Sequence, residues 1–518
     1  MKIPGRARCN CFLVNYIHNA KAEKFNRDEY ILRERIDRGC RMKIFYLSLW
    51  GLIVLLELGA GLSCTDVKAT DPSEAISNEM EAPASVDSYH LLLTGNWMGK
   101  LEPCGCTDIQ MGGINRRTKE ILKAAPDPQS RLMLDTGSLI AGYGRQARLK
   151  FGVFLASLRE LKYDAISIPP REILLLPEMG IERQNRPNLI VSNLGESKQG
   201  DFGCVRSLKK TLRVKDRKLE CLVFALNDPE KKGMNQLEIK EPLAEMQKLF
   251  ARNSIDPDKP SVGRLVVVML PDAGQELIKK IREIAAIDIL VVPGIADEPE
   301  IVTGAQKHAK FLTVTTGRMG KYIVHIEIPE QDKENPAKYK FHPIVIDSRF
   351  EHDPNIDRII NDYQEMLKEL NLIAEDNGVE REALEGGNFF AGNKACSQCH
   401  KKIYNKWKKF KHGHAMATLQ KVNRAFDPEC VVCHSVGMKY ESGYRSLKKT
   451  PELADVGCEM CHGPGGHHID DPMEEYQNVF AECESCHTHD QSPGFEANRK
   501  KYFEKIRHWK KEPRIYWD

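Results

Sequence analysis

From Tyr89 to about Arg349, short apolar runs alternate with amphipathic stretches. The runs are His90–Leu93, Leu132–Leu134, Ala165–Ile168, Leu189–Val191, Cys221–Leu226, Leu265–Leu270, Ile289–Val292 and Tyr322–Ile328. Each has strand length, and intervening segments such as Ala273–Ala286 repeat at helical spacing. Strand and helix in alternation predict a layered α/β domain over residues 89–350, a sheet covered by helices.

Beyond it, Asp353-Pro354 caps and starts a helix with Ile356, Ile359, Ile360, Tyr363, Met366, Leu367 and Leu370 on one stripe. That stripe is expected to pack on a domain surface, and the helix to end near Asn377-Gly378. Residues 351–388 thus read as a helical linker, and residues 389–518 as a separate module.

The N-terminal pattern is of another kind. An apolar run, Ile44–Leu56, follows Met42 and Lys43 and leads into Leu58-Gly59-Ala60-Gly61-Leu62-Ser63-Cys64. Residues 42–64 therefore read as an export signal or, if uncleaved, a membrane anchor. Residues 1–41 are charged and non-periodic, and translation starting at Met42 would leave them out. Cys64 follows small residues as a lipidated cysteine does, although Gly61 stands where an aliphatic residue is usual; plain cleavage near Ala60 is the alternative. Residues 65–88, rich in Thr, Asp, Ser, Ala and Pro, read as a tether.

A chain of 518 residues is too long for one ordinary core, so two or three domains are expected. Its 76 basic and 73 acidic residues leave a formal charge of +3, which gives no argument for a nucleic-acid partner. Its 16 cysteines are unusual for the cytosol, and their placement explains half of them.

Four Cys-x-x-Cys-His pentads lie between residues 396 and 487: Cys396, Cys399 and His400; Cys430, Cys433 and His434; Cys458, Cys461 and His462; Cys483, Cys486 and His487. This is the pattern of c-type haem attachment. Two thiols add across the porphyrin vinyl groups and the adjacent imidazole becomes the proximal iron ligand. Paired cysteines at these spacings also build zinc ribbons, but zinc does not require a His after every second Cys. The expectation is four covalently bound haem c groups, made on the outer side of an energy-transducing membrane, hence in a periplasmic or equivalent compartment. So many porphyrins in about 130 residues must themselves supply much of the core.

The distal side of each iron decides between carrier and catalyst, because two strong ligands leave no room for substrate. The remaining histidines are His412, His414, His467, His468, His489 and His508. His489 is the weakest, being two residues past a proximal ligand. Met416, Met438 and Met460 offer sulfur ligands, but apolar packing against porphyrin is their commoner use.

From Phe390 onward the chain resembles the nitrifier-type tetrahaem cytochrome c family, and the match extends beyond the pentads. It includes Gly392 to His400 with Trp407, His412 and Ala415; Pro428 to Gly437; Pro451 to Cys458 running into His462-Gly463-Pro464-Gly465 and a His pair; and Ser492-Pro493-Gly494-Phe495 leading to Tyr502, Lys505, Ile506 and His508. The resemblance implies a mainly α, haem-packed module with three bis-His haems and one open or weakly filled iron. By position in the family pattern, the distal ligands are His412, one of His467 and His468, and His508, with His414 next.

The order of turns in the middle of the chain resembles nucleotidase-type metallophosphoesterases, remotely and over about 240 residues. Where that family carries metal-binding Asp and His, this chain reads Gly95-Asn96-Trp97-Met98, Asp135-Thr136-Gly137-Ser138, Pro169-Pro170-Arg171-Glu172, Pro271 and Gly294-Ile295-Ala296-Asp297. Two close divalent ions need carboxylates and imidazoles, so the resemblance implies a degenerate scaffold without phosphatase activity. One cluster stands apart: Cys104-Gly105-Cys106, followed by Gly112-Gly113 and Arg116-Arg117. This pair of thiols could bind a soft metal, exchange with a disulfide or contact a partner; pairing with Cys204 or Cys221 to staple a loop is the structural alternative.

Residues 389–518 hold 21 Lys plus Arg and 17 Asp plus Glu. Eight haem propionates would bring the loaded module near neutrality or below. Lys401-Lys402, Lys406, Lys408-Lys409 and Lys411 could neutralise propionates, dock an acidic redox partner or form a solvated helix face. The expected function is an exported electron carrier between redox proteins, with the nucleotidase-like domain used for docking or assembly and membrane association through the anchor or Cys64. The alternative is a haem enzyme acting on hydroxylamine, nitric oxide or nitrite at one open iron.

Overall fold

The computed structural model describes residues 87–508, apart from 104–109, 143, 196–201, 231–236, 303–310, 375–378, 474–475, 477–482 and 493. The export segment, Cys64, and Cys104 and Cys106 lie outside the described residues. The described residues belong to one compact unit.

Its first part is two stacked sheets. One has strand order β11-β10-β1-β2-β3-β4, with β1 at Ser88–Thr94, β2 at Arg131–Asp135, β3 at Ala165–Ser167, β4 at Asn188–Ile190, β10 at Tyr322–Pro329 and β11 at Lys340–Val345. In it β1 to β4 are parallel, and β10 is antiparallel to both β1 and β11. The second has order β5-β6-β7-β8-β9, with β5 at Leu208–Val214, β6 at Arg217–Ala225, β7 at Arg264–Met269, β8 at Ile289–Val291 and β9 at Leu312–Val314. Here β5 and β6 form a hairpin, and the other pairings are parallel.

Side chains alternate across the strands, and both faces of the central ones are covered. Tyr89, Leu91 and Leu93 of β1 meet Val223, Leu265, Val267 and Met269 in a dry layer between the sheets. The opposite faces of β6 and β7, with Phe224, Val266 and Val268, pack on helices at Pro242–Arg252 and Gln275–Ile281. That double burial explains why these strands read as unbroken apolar runs.

The eight expected strands are present, and three more appear that the pattern did not announce. β5 is an edge strand whose polar residues Lys209, Thr211 and Arg213 face water. β9 has only three residues. β11 carries Pro343, tolerable because one of its edges is unpaired. The segment Ala273–Ala286 is helical over Gln275–Ile281 only.

Two helices pack against each other beside these sheets, α1 (Arg145–Glu160), which lies after β2, and α2 (Pro354–Leu370). The start of α2 is as expected: Asp353 accepts from the backbone N–H groups of Asn355 and Ile356 at 2.8 and 3.4 Å, and Pro354 fills the first helical position. Ile356, Ile360, Tyr363, Met366 and Leu367 are buried. The helix ends at Leu370 rather than near Asn377-Gly378, because Asn371 turns left-handed at φ 45° and its N–H closes the helix on the Leu367 carbonyl.

Candidate haem-binding site

Three of the pentads lie on short helices: α3 (Asn393–Cys399), α5 (Pro428–His434) and α6 (Cys458–His462), with α4 (Lys401–Trp407) following α3. The fourth opens on a single 3-10 turn at Cys483–Ser485. Positions i, i+3 and i+4 share a helix face, so each pentad turns two thiols and one imidazole to the same side. The closing bonds are His400 N–H to Cys396 O at 2.9 Å and His487 N–H to Cys483 O at 2.8 Å.

The pentads are also close to one another. The thiols of Cys396 and Cys458 are within hydrogen-bonding reach, as are those of Cys433 and Cys486. Cys461 feels both Cys483 and Cys486. First and third therefore adjoin, second and fourth adjoin, and the third leans on the fourth.

Two histidine pairs have a particular geometry. His412 faces His487 with ring centroids 6.1 Å apart, and His462 faces His508 at 6.2 Å. Two imidazoles sharing one iron, with Fe–N bonds of about 2 Å and about 1.1 Å from each nitrogen to its ring centre, would have centroids about 6.2 Å apart. The residues present therefore fit bis-His haem at these two places.

Hydrogen bonds orient the rings as well. The Nδ1 of His434 lies 2.7 Å from the Ala415 carbonyl, that of His508 lies 2.8 Å from the Ile506 carbonyl, and that of His487 lies 2.8 Å from Ser492 Oγ. A carbonyl can only accept, so His434 and His508 carry their proton on Nδ1 and present the Nε2 lone pair. Burial, then the neighbouring His487 and His434, lowers the pKa of His412, and burial lowers that of His487; both favour the neutral, ligating form.

The His467-His468 pair divides clearly. His467 is exposed and its Nε2 is 3.2 Å from the Gly386 carbonyl. His468 is turned inward: its Nδ1 is buried without a hydrogen-bond partner, and its ring lies 5.2 Å from that of Tyr476, which senses Cys396 and Cys458. His414 is exposed, next to the carbonyl that holds His434. His489 is 79% exposed and lies 3.8 Å from Asp297. Met416 and Met438 are buried in an apolar cluster with Val431, Val436, Tyr444 and Leu453, and Met460 packs against it.

Several further residues support the site. Glu459, buried inside the third pentad, accepts from the N–H groups of Ala391, Gly392 and Gly465 at 2.9, 2.7 and 2.8 Å, tying the start of the module to the loop after His462. Burial raises its pKa and the three N–H groups oppose that. Asn393 accepts from Cys458 N–H at 2.8 Å, and Trp407 Nε1 donates to the Val456 carbonyl at 3.1 Å. Trp407 and Asn393 lie in the segments that resemble the cytochrome family, but their hydrogen-bond partners lie far off in sequence and no spacing reveals them.

The strand ends of the first part show where its landmark residues went. Asp135 is fully buried and accepts from Thr94 Oγ1 at 2.6 Å, Trp97 Nε1 at 2.8 Å and Gly137 N–H at 2.8 Å. Burial raises its pKa against these donors. Trp97 fills the space beside it, packed on Phe154 and under the Arg117 guanidinium. Asn96 donates to the carbonyls of Gly294 and Gly317. Burial pushes Glu172 up to about 7, with one oxygen accepting from Ile140 N–H. Asp297, His489 and Asp490 come together, but the Lys321 ammonium lies 3.2 Å from Asp297 and 2.9 Å from Asp490 and supplies the positive charge there. Cys204 and Cys221 are free and buried; Cys221 lies in the layer between the sheets, so the disulfide alternative finds no support at either residue.

The pentads and facing imidazoles fit covalent attachment of haem c. Residues 395–463 match the family described as cytochrome c554 and c-prime. Cytochrome c-554 of Nitrosomonas europaea is 38% identical over 91 residues, 15% of this chain and 39% of that protein. The chain thus spans about two-fifths of the length of this curated relative. Among solved structures, a 5'-nucleotidase precursor from Thermus thermophilus is similar at TM-score 0.44 and 14% identity, over 71% of this chain and 73% of that one. The NAD nucleotidase of Haemophilus influenzae is similar at TM-score 0.40 and 14% identity, over 56% and 70%. Among the described residues, no helix is long and apolar enough to cross a membrane.

Proposed function

We propose that the protein is an exported tetrahaem c-type cytochrome that passes electrons between redox proteins, built as an α/β domain over 89–350, a linker over 351–388 and a haem module over 389–518. Each pentad would bind one haem through its two cysteines, with His400, His434, His462 and His487 as proximal ligands. His412 would complete the fourth haem and His508 the third. His468, the inward-facing member of its pair, would complete the first. When bound, haem supplies one-electron chemistry. The chain orients the imidazoles, favours the neutral form of His412 and His487, and brings the pentads together.

The carrying observation is the pair of imidazole separations, 6.1 and 6.2 Å, each joining a pentad histidine to one outside any pentad. The touching thiol pairs support the reading, since they would place neighbouring haems close to one another. The bound Asp135 and the Lys321 ion pairs support a first domain without phosphatase activity. Nitrophenyl phosphate turnover with added manganese or zinc would count against that part.

One observation favours the enzyme reading. The ring pairs join His412 to His487 and His508 to His462, and His414 beside His434 is exposed. The iron at His434 would then have an open side able to take hydroxylamine, nitric oxide or nitrite. Low-temperature electron paramagnetic resonance of the oxidised holoprotein, before and after nitric oxide, separates the readings. Low-spin signals indifferent to the additive mean a pure carrier; a high-spin signal that shifts means an open iron, and its loss in His434→Met would assign it to the second haem.

A further inference from the structure

The haem module does not touch the α/β domain at random. Lys100 follows β1, Gln146 and Lys150 lie on α1 after β2, Asp297 follows β8, and Lys321 precedes the antiparallel β10. All of these positions lie at the C-terminal edges of the parallel strands, where α/β proteins place their ligand crevice.

At one place this edge meets the helix of the second pentad. Arg424 pairs with Glu102, and Gln364 Nε2 lies 3.4 Å from the same carboxylate. Lys150 Nζ is 2.6 Å from Glu429 Oε1, with Lys100 at 3.9 Å from its other oxygen. Gln146 Nε2 donates to Asp427 Oδ1 at 2.7 Å and to Tyr363 Oη at 3.0 Å. Asp427 in turn caps α5 by accepting from Glu429 N–H at 3.0 Å. Cys430, one residue further on, senses Asp427, Arg424, Glu429 and Glu102 together. Lys150 is almost fully buried although its partner is not. Burial raises the Glu102 pKa and Arg424 opposes this; burial also works against the charge on Glu429, yet Lys150 and Lys100 hold it below its ordinary value.

We propose that the α/β domain forms part of the second haem site: Glu102 and Lys150 are positioning residues that hold α5 against the strand edge and set the reduction potential of the haem at Cys430, Cys433 and His434. A degenerate crevice would thus serve the chain's own cofactor. A negative charge near an iron favours its oxidised form and a positive charge the reduced form, with little screening where the groups are buried.

The inference rests on the covalent-haem reading, which haem content per chain by pyridine haemochrome tests separately. The test uses full-length, four-haem protein in a spectroelectrochemical titration, with the second haem's redox step identified by its loss or displacement in His434→Met. Glu102→Gln should raise that step and Lys150→Met should lower it, while the other three stay in place. Exchanging charges in Lys150→Glu with Glu429→Lys keeps an ion pair but brings the positive charge beside Cys430, so the step should rise. A purely structural clamp predicts loss of order in the single variants, both displaced alike, and recovery in the exchanged pair. Displacement of all four steps, a common direction in the single variants, or no displacement while four haems remain bound would overturn the proposal.

Discussion

Removing the His508 side chain tests the axial-pair geometry most directly. His508 Nδ1 is held by the Ile506 carbonyl at 2.8 Å, and its ring stands edge-on to His462 at 84° with centroids 6.2 Å apart. If His508 is the sixth ligand of the third haem, His508→Ala would leave that haem with His462 alone. One iron in four should therefore change from low to high spin. If the haem at His434 is open already, the high-spin share should rise from about one quarter to about one half of total iron. Quantitative electron paramagnetic resonance on the oxidised protein, normalised to haem content, reads this share. His508→Met should restore six-coordination and raise the potential of the same haem, because thioether ligation favours the ferrous state. His489→Ala is the control, since that ring is 79% exposed and has carboxylate neighbours. An unchanged low-spin share in His508→Ala at full haem content would refute the pairing.

Three further outcomes are expected. His468→Ala should convert one additional haem to high spin, whereas His467→Ala should not, and equal effects in the same spin assay would show that burial does not identify the ligand. Acid should weaken the α/β domain through His325, whose Nε2 lies 3.0 Å from His90 Nδ1. Burial first, then His90 and His342, lowers its pKa to about 3. Because the unfolded chain takes up this proton and the folded chain resists it, the contribution is complete above about pH 6.5 and falls by up to about 1.4 kcal/mol per pH unit toward pH 3. Urea titrations across pH should show His325→Leu removing part of that slope while Glu327 and Lys340, the charged groups beside this cluster, remain. Val267→Ala, at a fully buried position between the sheets, should cost about 2 kcal/mol in the same measurement, and a negligible change would mean that the sheets are not packed there.

The core strands were legible because sheets buried on both faces need unbroken apolar runs, and Cys221–Leu226 and Leu265–Leu270 supply them. β5 and β11 were not, because edge strands satisfy half of their backbone with water and need no such pattern. The start of α2 was legible from Asp353-Pro354, a local cap; its end was not, since a left-handed Asn371 leaves only a weak trace in composition.

The same division holds at the candidate site. Attachment chemistry was written locally, because a thiol, a second thiol and an imidazole at i, i+3 and i+4 share a face whatever surrounds them. Six extra histidines against at most four distal places left the partners undetermined by spacing. Packing separated inward His468 from exposed His467 and set His412 against His487 and His508 against His462. It also paired Glu102 with Arg424, 322 residues apart. Charge and hydropathy carry no address over such a distance, so only the docking of α5 on the strand edge could decide which carboxylate stands beside the second pentad.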